Sequence, residues 1–378
     1  MVRILQLGMG NEENIGGIEL YLINQYRHLN KKNFVYDFLH VQDLPIAFGK
    51  ELCLDSKIYR LAERRLHPVS YYKDLFSFFW KIRNENYDVI VMNLGGLSHA
   101  LPLLLAQFIN IPMRVVHSHT AGDETNIGML RRIQYAINRK IIQFSATDYW
   151  TCSKNASRFL FHHEDAKIVH NGIETKKFVF SQPIRNNMRE KLQLHDKFVI
   201  GHVGRFSPVK NHFFLVDVFY ELHKKINNAI LLLVGDDSHE LDYDGYVSEI
   251  KRKISEYGLS ENVIFTGFDE DTSKYYQAMD VFCLPSISEG LSLCTLEAQA
   301  SDLPCVVSVG VPDSVKVIED IEFLPLDDMD RWVNKLDEYA HIKRNRRNNY
   351  KVFCTSGYDA EYSTREVENY FLEGLKNV

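Results

Sequence analysis

The chain has 378 residues, of which 45% are hydrophobic and 12% aromatic, enough for the cores of two globular domains. Its net charge of −6 argues against a general nucleic-acid binder, which needs a basic surface for phosphates. The six cysteines form no C-x2-C pair, which favours reduced thiols over disulfides or zinc. No apolar run approaches the roughly twenty residues of a membrane span, and we expect a cytoplasmic protein.

Short apolar runs alternate with amphipathic helical patterns in both halves of the chain. Examples are VRILQLG, DVIVMNLG and MRVVHSH in the first half, and FVIGHVG, AILLLVGD and DVFCLPS in the second. Buried strands separated by helices predict parallel sheets covered on both faces, and two such series predict two Rossmann-like α/β domains. We place the boundary between Asn171 and about Lys191, where turn formers and mixed charge interrupt the helical periodicity.

A glycine-rich segment follows the first predicted strand. Gly8 and Gly10 are separated from Gly16 and Gly17 by a spacing that departs from the dinucleotide-binding fingerprint. Paired glycines at the start of a helix would let the backbone approach a phosphate or sugar closely, although an ordinary glycine-rich turn explains them as well. Glu19, in the first helical turn, has the simpler interpretation of a helix cap.

Two histidines, His117 and His119, follow a later buried strand. Ligands bind at the carboxyl ends of the strands in open α/β sheets, so either histidine is a candidate for the site. A single histidine is more often a solvated loop residue or a satisfied core residue. We expect the two to alternate in strand phase, so that only one need face the site, and we favour His119 because it lies further beyond the apolar run. Metal binding by the pair is disfavoured for want of a third ligand.

Charged residues of both signs mark two segments of the second half. Arg205 and Lys210 lie between the strand FVIGHVG and the next helix, where cations and a helix N-terminus together favour phosphate. Glu289 and Glu297 stand about eighty residues later, eight apart, around Gly290. The carboxylates suit a hydroxylated ligand and the cations an anionic one, so the two segments predict a site for a nucleotide-diphosphate sugar. The alternative interpretation is solvated cations, a loop acid and a helix-surface acid.

The order of these motifs resembles that of the retaining family 4 glycosyltransferases with the GT-B fold. The segments that carry the resemblance span nearly the whole chain: GGIE (16–19), VVHSHT (115–120), HNGIE (170–174), GRFSPVKN (204–211), LLLVGDD (231–237), VIFTGF (263–268) and the E-x7-E pair. The resemblance implies two Rossmann-like domains that face each other across a cleft. Residues 1–175 would bind the acceptor, with 358–378 packing back on them, and residues 190–357 would bind the nucleotide sugar.

The resemblance also implies roles for individual residues. Arg205 and Lys210 would bind the diphosphate, Glu289 the hydroxyls of the transferred sugar, and Glu297 the ribose. Further donor contacts would come from Gly16, Gly17, Gly290, Leu291 and Ser292, with His119 close to the reacting sugar. Gly267 and Phe268 are candidates for the base pocket, or else a strand-ending turn. Asp302 stands where the family commonly has glycine, which puts the local turn geometry in doubt.

The expected reaction needs no cofactor and no metal, since cations and N–H groups meet the phosphate charge. Asp242 and Asp244 have the D-x-D spacing of a metal-binding loop, but their acidic stretch is interpreted as solvated. The resemblance implies retention of anomeric configuration, a UDP-sugar donor and a lipid-linked glycan acceptor, in synthesis of a bacterial capsule or related surface polysaccharide. Basic amphipathic stretches at 71–83 and 128–144 suit a peripheral membrane contact, although most of each apolar face should be core. The alternatives are another GT-B enzyme, such as a nucleotide-sugar epimerase, and a noncatalytic partner subunit that binds sugar nucleotides.

Overall fold

The computed structural model describes residues 1–13, 15–121, 127–237 and 245–376. The chain divides into two compact units, the first comprising Met1–Gly172 with Ala360–Val378, and the second Ile173–Asp359. Residues 176–189, which the sequence interpretation left between its two domains, belong to the second unit, and so do residues 173–175 and 358–359, which it had assigned to the first domain. Residues 176–189 are held there in part by Arg185, whose guanidinium donates to the Met279 carbonyl and pairs with Asp280 at 2.5 Å.

The first unit is built on a parallel sheet with the strand order β3-β2-β1-β4-β5-β6-β7. Its strands are β1 Val2–Leu7, β2 Phe34–His40, β3 Ile58–Arg60, β4 Val89–Leu94, β5 Met113–Ser118, β6 Asp148–Thr151 and β7 Lys167–Ile168. Its helices are α1 Gly17–His28, α2 Gly49–Leu52, α3 Pro68–Ile82, α4 Leu101–Phe108, α5 Met129–Ser145 and α6 Lys154–Phe161, together with the last helix of the chain, α15 Ala360–Lys376.

Two apolar cores lie on opposite faces of this sheet. One is shared by α3, α4 and α5, and the other by α1 and α15. The final helix α15 packs against α1 and buries Val367 and Phe371 in the second core. The predicted return of the C-terminal helix to the first domain is thereby confirmed.

The second unit is built on a parallel sheet with the order β10-β9-β8-β11-β12-β13. Its strands are β8 Phe198–Val203, β9 Ala229–Val234, β10 Val263–Phe265, β11 Val281–Leu284, β12 Cys305–Ser308 and β13 Ile321–Leu324. Its helices are α7 Thr175–Phe178, α8 Gln182–Lys191, α9 His212–His223, α10 Tyr246–Glu256, α11 Ser273–Ala278, α12 Leu293–Ala300, α13 Met329–Ala340 and α14 Tyr350–Thr355, with 3₁₀ turns at Pro208–Lys210 and Asp313–Val315.

The strand order of the second unit fixes where a ligand should bind. It runs outward from β8 to β9 and β10 on one side, and from β11 to β12 and β13 on the other. The direction of winding therefore reverses between β8 and β11, and open α/β sheets bind ligands beyond the carboxyl ends of the strands at such a reversal. The loops that leave β8 and β11 carry the GRFSPVKN segment and the first glutamate of the E-x7-E pair.

Within the part of the chain that the structure describes, no helix is long and apolar enough to cross a membrane.

Candidate functional site

The loops after β8 and β11 are held together by backbone hydrogen bonds. The N–H of Ile287 donates to the carbonyl of Val209 at 2.8 Å, which joins the β11 loop to the 3₁₀ turn after β8. The N–H of Glu289 donates to the carbonyl of Gly310 at 3.0 Å, which ties the same loop to the end of β12. The two charged segments of the sequence are therefore brought into one place.

Lys210 and Glu289 form an ion pair at this junction. The Lys210 Nζ donates to Oε1 of Glu289 at 2.7 Å, and the two side chains are only 19% and 13% exposed. Burial works against the charged form of Lys210, but the Glu289 carboxylate outweighs it and the pKa of Lys210 is raised. The lysine is therefore a permanent cation whose charge is already matched by a carboxylate.

Arg205 differs from Lys210 in its surroundings. Its side chain is exposed, and within the described ranges it makes no hydrogen bond or ion pair. It lies five residues before Lys210 on the same loop. Its positive charge repels that of Lys210 and acts to lower the pKa of the lysine. An arginine held near a second cation without an acidic partner suits the binding of an anion from solution.

The start of α12 adds backbone donors to the two cations. Ser292 caps this helix, because its Oγ accepts a hydrogen bond from the Thr295 N–H at 3.4 Å. The N–H groups of Gly290, Leu291 and Ser292 have no acceptor among the described residues. Unpaired N–H groups at a helix N-terminus favour the binding of an anion. Arg205, Lys210 and these N–H groups are therefore all possible hydrogen-bond donors to one anion.

Glu297 lies one turn into α12 and is nearly buried. Its Oε2 accepts a hydrogen bond from the hydroxyl of Tyr276 at 2.7 Å. Burial raises the pKa of the Glu297 carboxyl to about 7, although Tyr276 and the more distant Lys177 favour the charged form. The carboxyl therefore changes charge close to neutral pH. Tyr276 was not predicted from the sequence, since no motif connects it with a glutamate 21 residues later.

Gly267 and Phe268 lie at the end of β10, next to the loop after β8. Gly267 has a φ of +74°, a conformation that favours glycine, and it pairs with Gly235 in an isolated bridge. A Cβ atom on Gly235 would come within 2.2 Å of the Gly204 carbonyl oxygen, so this close approach requires glycine. Phe268 is 61% exposed and offers a free aromatic surface at this edge.

Asp302 occupies the turn after α12 in the left-handed region. Its φ is +52°, the conformation that a glycine would adopt at no cost. Its carboxylate accepts hydrogen bonds from the Arg347 N–H at 2.6 Å and from Nδ2 of Asn349 at 2.9 Å. These bonds offset the backbone strain, so the departure from the family pattern leaves the turn in place.

The glycines of the first unit lie at the start of α1. Gly16 is the N-cap residue and Gly17 the first helical residue. The Glu19 carboxylate accepts hydrogen bonds from the N–H of Gly16 at 2.8 Å and of Gly10 at 3.1 Å. Glu19 therefore has the capping role that was the simpler interpretation of the sequence.

His117 and His119 point to the same side of the sheet. Their ring centroids are 3.9 Å apart, and both rings contact Tyr21. The expectation that they alternate in strand phase is wrong, because residues two apart on an extended chain share a face. They differ in position instead: His117 is fully buried within β5, and His119 follows the strand.

The hydrogen bonds of His119 define its chemistry. One ring nitrogen, Nε2, lies 3.0 Å from Oδ1 of Asn93, and the other, Nδ1, lies 3.3 Å from Nδ2 of Asn171. These partners favour the neutral tautomer that carries its proton on Nε2. Burial lowers the pKa of His119 to about 3, so the ring stays neutral at physiological pH. It can position neighbouring groups or donate a hydrogen bond, but it is not a cation.

Among the described residues, no group of three or more histidine, cysteine, aspartate or glutamate side chains is arranged to hold a metal ion. Asp242 and Asp244 lie outside the described residues.

The chain is similar to known proteins in sequence and in fold. The family described as "Glycosyl transferases group 1" matches residues 184–351, a range that includes Arg205, Lys210, Glu289 and Glu297. The glycosyltransferase EpsF of Bacillus subtilis is 27% identical over 95% of this chain and 94% of its own length. The capsular polysaccharide biosynthesis glycosyltransferase CapH of Staphylococcus aureus is 24% identical over 91% and 94%.

Another relative and a solved structure extend this comparison. The UDP-Gal:alpha-D-GlcNAc-diphosphoundecaprenol alpha-1,3-galactosyltransferase of Escherichia coli is 24% identical over 85% of this chain and 84% of its own. The structure of Anabaena HepE in complex with UDP-glucose has a TM-score of 0.75 at 18% identity and covers both chains completely. The predicted fold class is confirmed. The chain has the GT-B fold, its residues 184–351 match the group 1 glycosyl transferases, and it is similar to bacterial capsular and exopolysaccharide glycosyltransferases.

Proposed function

We propose that this glycosyltransferase moves a hexose from a UDP-sugar to a lipid-linked glycan, with retention of anomeric configuration and without a metal ion. The observation that carries the proposal is the Lys210–Glu289 pair, which lies beside an unpaired arginine and the unpaired N–H groups before α12. Such a site can meet a diphosphate and a hydroxylated sugar together.

Each part of the donor has a suitable partner in the second unit. Arg205, Lys210 and the N–H groups of the loop before α12 would bind the diphosphate. Glu289 would accept hydrogen bonds from the hydroxyls of the transferred sugar, and Glu297 from those of the ribose. Phe268 and the Gly267 turn would border the base. Gly16, Gly17 and His119, in the first unit, would contribute near the reacting sugar and the acceptor.

The chemistry depends on where charge develops. When the bond between the anomeric carbon and the diphosphate breaks, negative charge grows on the leaving phosphate and positive charge on the sugar ring. Arg205 and Lys210 would stabilise the leaving phosphate electrostatically, as preorganised donors do in other transferases. No metal is then required, and no cofactor beyond the donor.

Retention fits attack from the same face as the leaving group. The acceptor hydroxyl would form the new bond to the anomeric carbon while its proton passes to the departing phosphate. A double displacement would instead need a carboxylate nucleophile beneath the anomeric carbon. Glu289 is a poor choice for that role, because its Oε1 already accepts a hydrogen bond from Lys210.

The choice of UDP and of a lipid-linked acceptor draws on similar proteins. HepE is described as bound to UDP-glucose, and the relative from Escherichia coli is named for UDP-Gal and a diphosphoundecaprenol acceptor. An acceptor of that kind would place the enzyme at the inner face of a cell membrane.

A panel of nucleotide sugars tests the proposal. The protein is incubated with UDP-sugars and GDP-sugars, each with and without an undecaprenyl-diphosphate-linked sugar, and the released nucleotide is quantified. We expect release of UDP that depends on the acceptor, and a product with the anomeric configuration of the donor. Release of GDP alone would exclude a UDP donor. Binding of nucleotide sugars without turnover of any would favour a noncatalytic partner subunit.

A further inference from the structure

Helix α5 exposes apolar side chains on the side opposite its core face. Its inward face buries Tyr135 and Ile142. Its outward face carries Leu130, Ile133, Ile137 and Phe144, with Leu130 85% and Phe144 70% exposed. A helix on the surface of a globular unit normally has polar residues there. The sequence interpretation assigned most of the apolar residues in this segment to the core, and the structure shows that one stripe of them faces solvent.

Exposed apolar side chains also lie on the neighbouring helices. α4 packs between α3 and α5, and all three share the same core. On α3, Phe76 is half exposed and Trp80 is 68% exposed. An open groove of about 540 Å³ runs between α4 and α5, lined by Leu104, Ala136, Ile137, Lys140, Ile141 and Phe144. We call these exposed apolar side chains of α3, α4 and α5 the α3–α5 face.

Positive charge borders this face. α5 contains the exposed Arg131, Arg132 and Lys140, and its sequence from Met129 to Ser145 has no aspartate or glutamate. At the end of α3 the Arg83 guanidinium lies 3.5 Å from the centre of the Trp80 ring. Long basic side chains beside exposed aromatic and aliphatic groups are typical of helices that lie in a membrane interface.

We infer that the α3–α5 face docks on an anionic lipid bilayer, with the apolar side chains of α5 and Trp80 entering the interface and the flanking cations facing the headgroups. The inference goes beyond the proposed reaction, because it names a surface that includes none of the residues assigned to the donor and needs no donor or acceptor. The positive charge of α5 argues against a second copy of the chain as the partner that binds this face. A two-fold dimer through this face would set the basic residues of α5 against the same residues of its partner.

The test is binding of the full chain to vesicles, measured by flotation. One set of vesicles contains phosphatidylcholine alone and the other phosphatidylcholine mixed with phosphatidylglycerol. We expect binding to the mixed vesicles that weakens as salt is raised, because the headgroup attraction is screened. Leu130→Ser and Phe144→Ser should each lower the partition coefficient by about tenfold, since each removes apolar area from the interface. Lys140→Gln should weaken binding to the anionic vesicles alone.

Ile184→Ser is the matched control, because Ile184 is an exposed apolar residue on a helix of the second unit. It should bind vesicles as the parent chain does. Melting temperature and UDP affinity are measured for every variant, and both should stay unchanged because these side chains are exposed and lie outside the donor segments. Vesicle binding without UDP binding would remove the proposed donor site and leave this inference standing.

Two results would overturn the inference. The first is failure of the parent chain to bind the mixed vesicles, or binding that Leu130→Ser and Phe144→Ser leave intact. The second is a dimeric mass in solution that Leu130→Ser converts to a monomeric one, which would assign the face to a second copy of the chain.

Discussion

The Nζ of Lys210 lies 2.7 Å from Oε1 of Glu289, so the cation assigned to the diphosphate and the acid assigned to the sugar form an ion pair with each other. The pair satisfies both charges at a site where each side chain is mostly buried. A diphosphate that contacts Lys210 must therefore share it with Glu289 or displace the carboxylate. Glu289 consequently affects the affinity for the nucleotide as well as for the sugar.

The two cations should respond differently to removal. Arg205→Ala and Lys210→Ala should each weaken UDP binding by roughly ten- to a hundredfold, because a charge-assisted hydrogen bond contributes about 1.5–3 kcal/mol. Only Lys210→Ala should also lower the melting temperature, since it leaves the mostly buried Glu289 carboxylate without its partner. Calorimetry with UDP and thermal unfolding measure the two effects.

Lys191→Ala serves as the control for these variants, because Lys191 is an exposed cation at the end of α8. It should change neither UDP affinity nor melting temperature. Unchanged UDP affinity in both Arg205→Ala and Lys210→Ala would place the diphosphate elsewhere. Equal losses of melting temperature in the two would contradict the difference in their surroundings.

The buried Glu297 should make nucleotide binding depend on pH. Burial raises the pKa of its carboxyl to about 7, and ribose hydroxyls would donate to the charged form. UDP affinity should therefore fall as the pH is lowered through 7, with a slope from this group of at most about tenfold per pH unit. Protonation of the diphosphate adds its own slope, so Glu297→Gln is the comparison. Its affinity should be weaker at high pH and its dependence on pH shallower, and equal slopes in the two proteins would contradict the assignment.

The same shift has a consequence for folding. A carboxyl whose pKa is raised in the folded state destabilises that state when it is charged. The folded protein therefore loses no stability from Glu297 below the ordinary pKa of about 4.5, and loses the full amount above about 7. The melting temperature of Glu297→Gln should therefore rise relative to that of the parent chain as the pH increases between these values. Thermal unfolding across this range, with UDP absent, measures the difference, and a constant difference would show that Glu297 does not titrate there.

Turnover should not depend on a divalent metal. In the proposed site the phosphate charge would be met by Arg205, Lys210 and the N–H groups before α12, which a chelator leaves in place. Released UDP is measured with and without a chelator, on protein dialysed beforehand. Activity that is lost on chelation and restored by magnesium or manganese would contradict this part of the proposal.

The sequence predicted the parts of the site that depend on local order. The parallel sheets and the charged segments after β8 and β11 follow from apolar runs and turn formers close together in the chain. The return of α15 to the first unit was inferred from resemblance. The Lys210–Glu289 bond was not predicted, since its partners are 79 residues apart and meet only because Ile287 bonds to Val209.

Other features of the molecule needed three-dimensional information as well. Tyr276 reaches Glu297 from a different helix, and no spacing rule connects them. The strain at Asp302 is offset by Arg347 and Asn349, which lie in a distant segment. The exposed apolar stripe of α5 could not be predicted from composition. An apolar helix face resembles a core face until the positions of the neighbouring helices are known. The phase of His117 and His119, in contrast, follows from strand geometry and should have been predicted correctly.

The most direct test of the donor site is the UDP affinity and turnover of Glu289→Gln and Glu297→Gln. Glu289→Gln frees Lys210 and removes a negative charge, so it should bind UDP up to about tenfold more tightly while turnover falls by about a hundredfold, the scale of a lost transition-state contact. Glu297→Gln should bind both UDP and the donor more weakly, because it loses a charged acceptor for the ribose. If instead both variants lose affinity, turnover and melting temperature in proportion, the two acids are structural, and a Glu289→Gln variant with normal turnover would contradict its place in the mechanism.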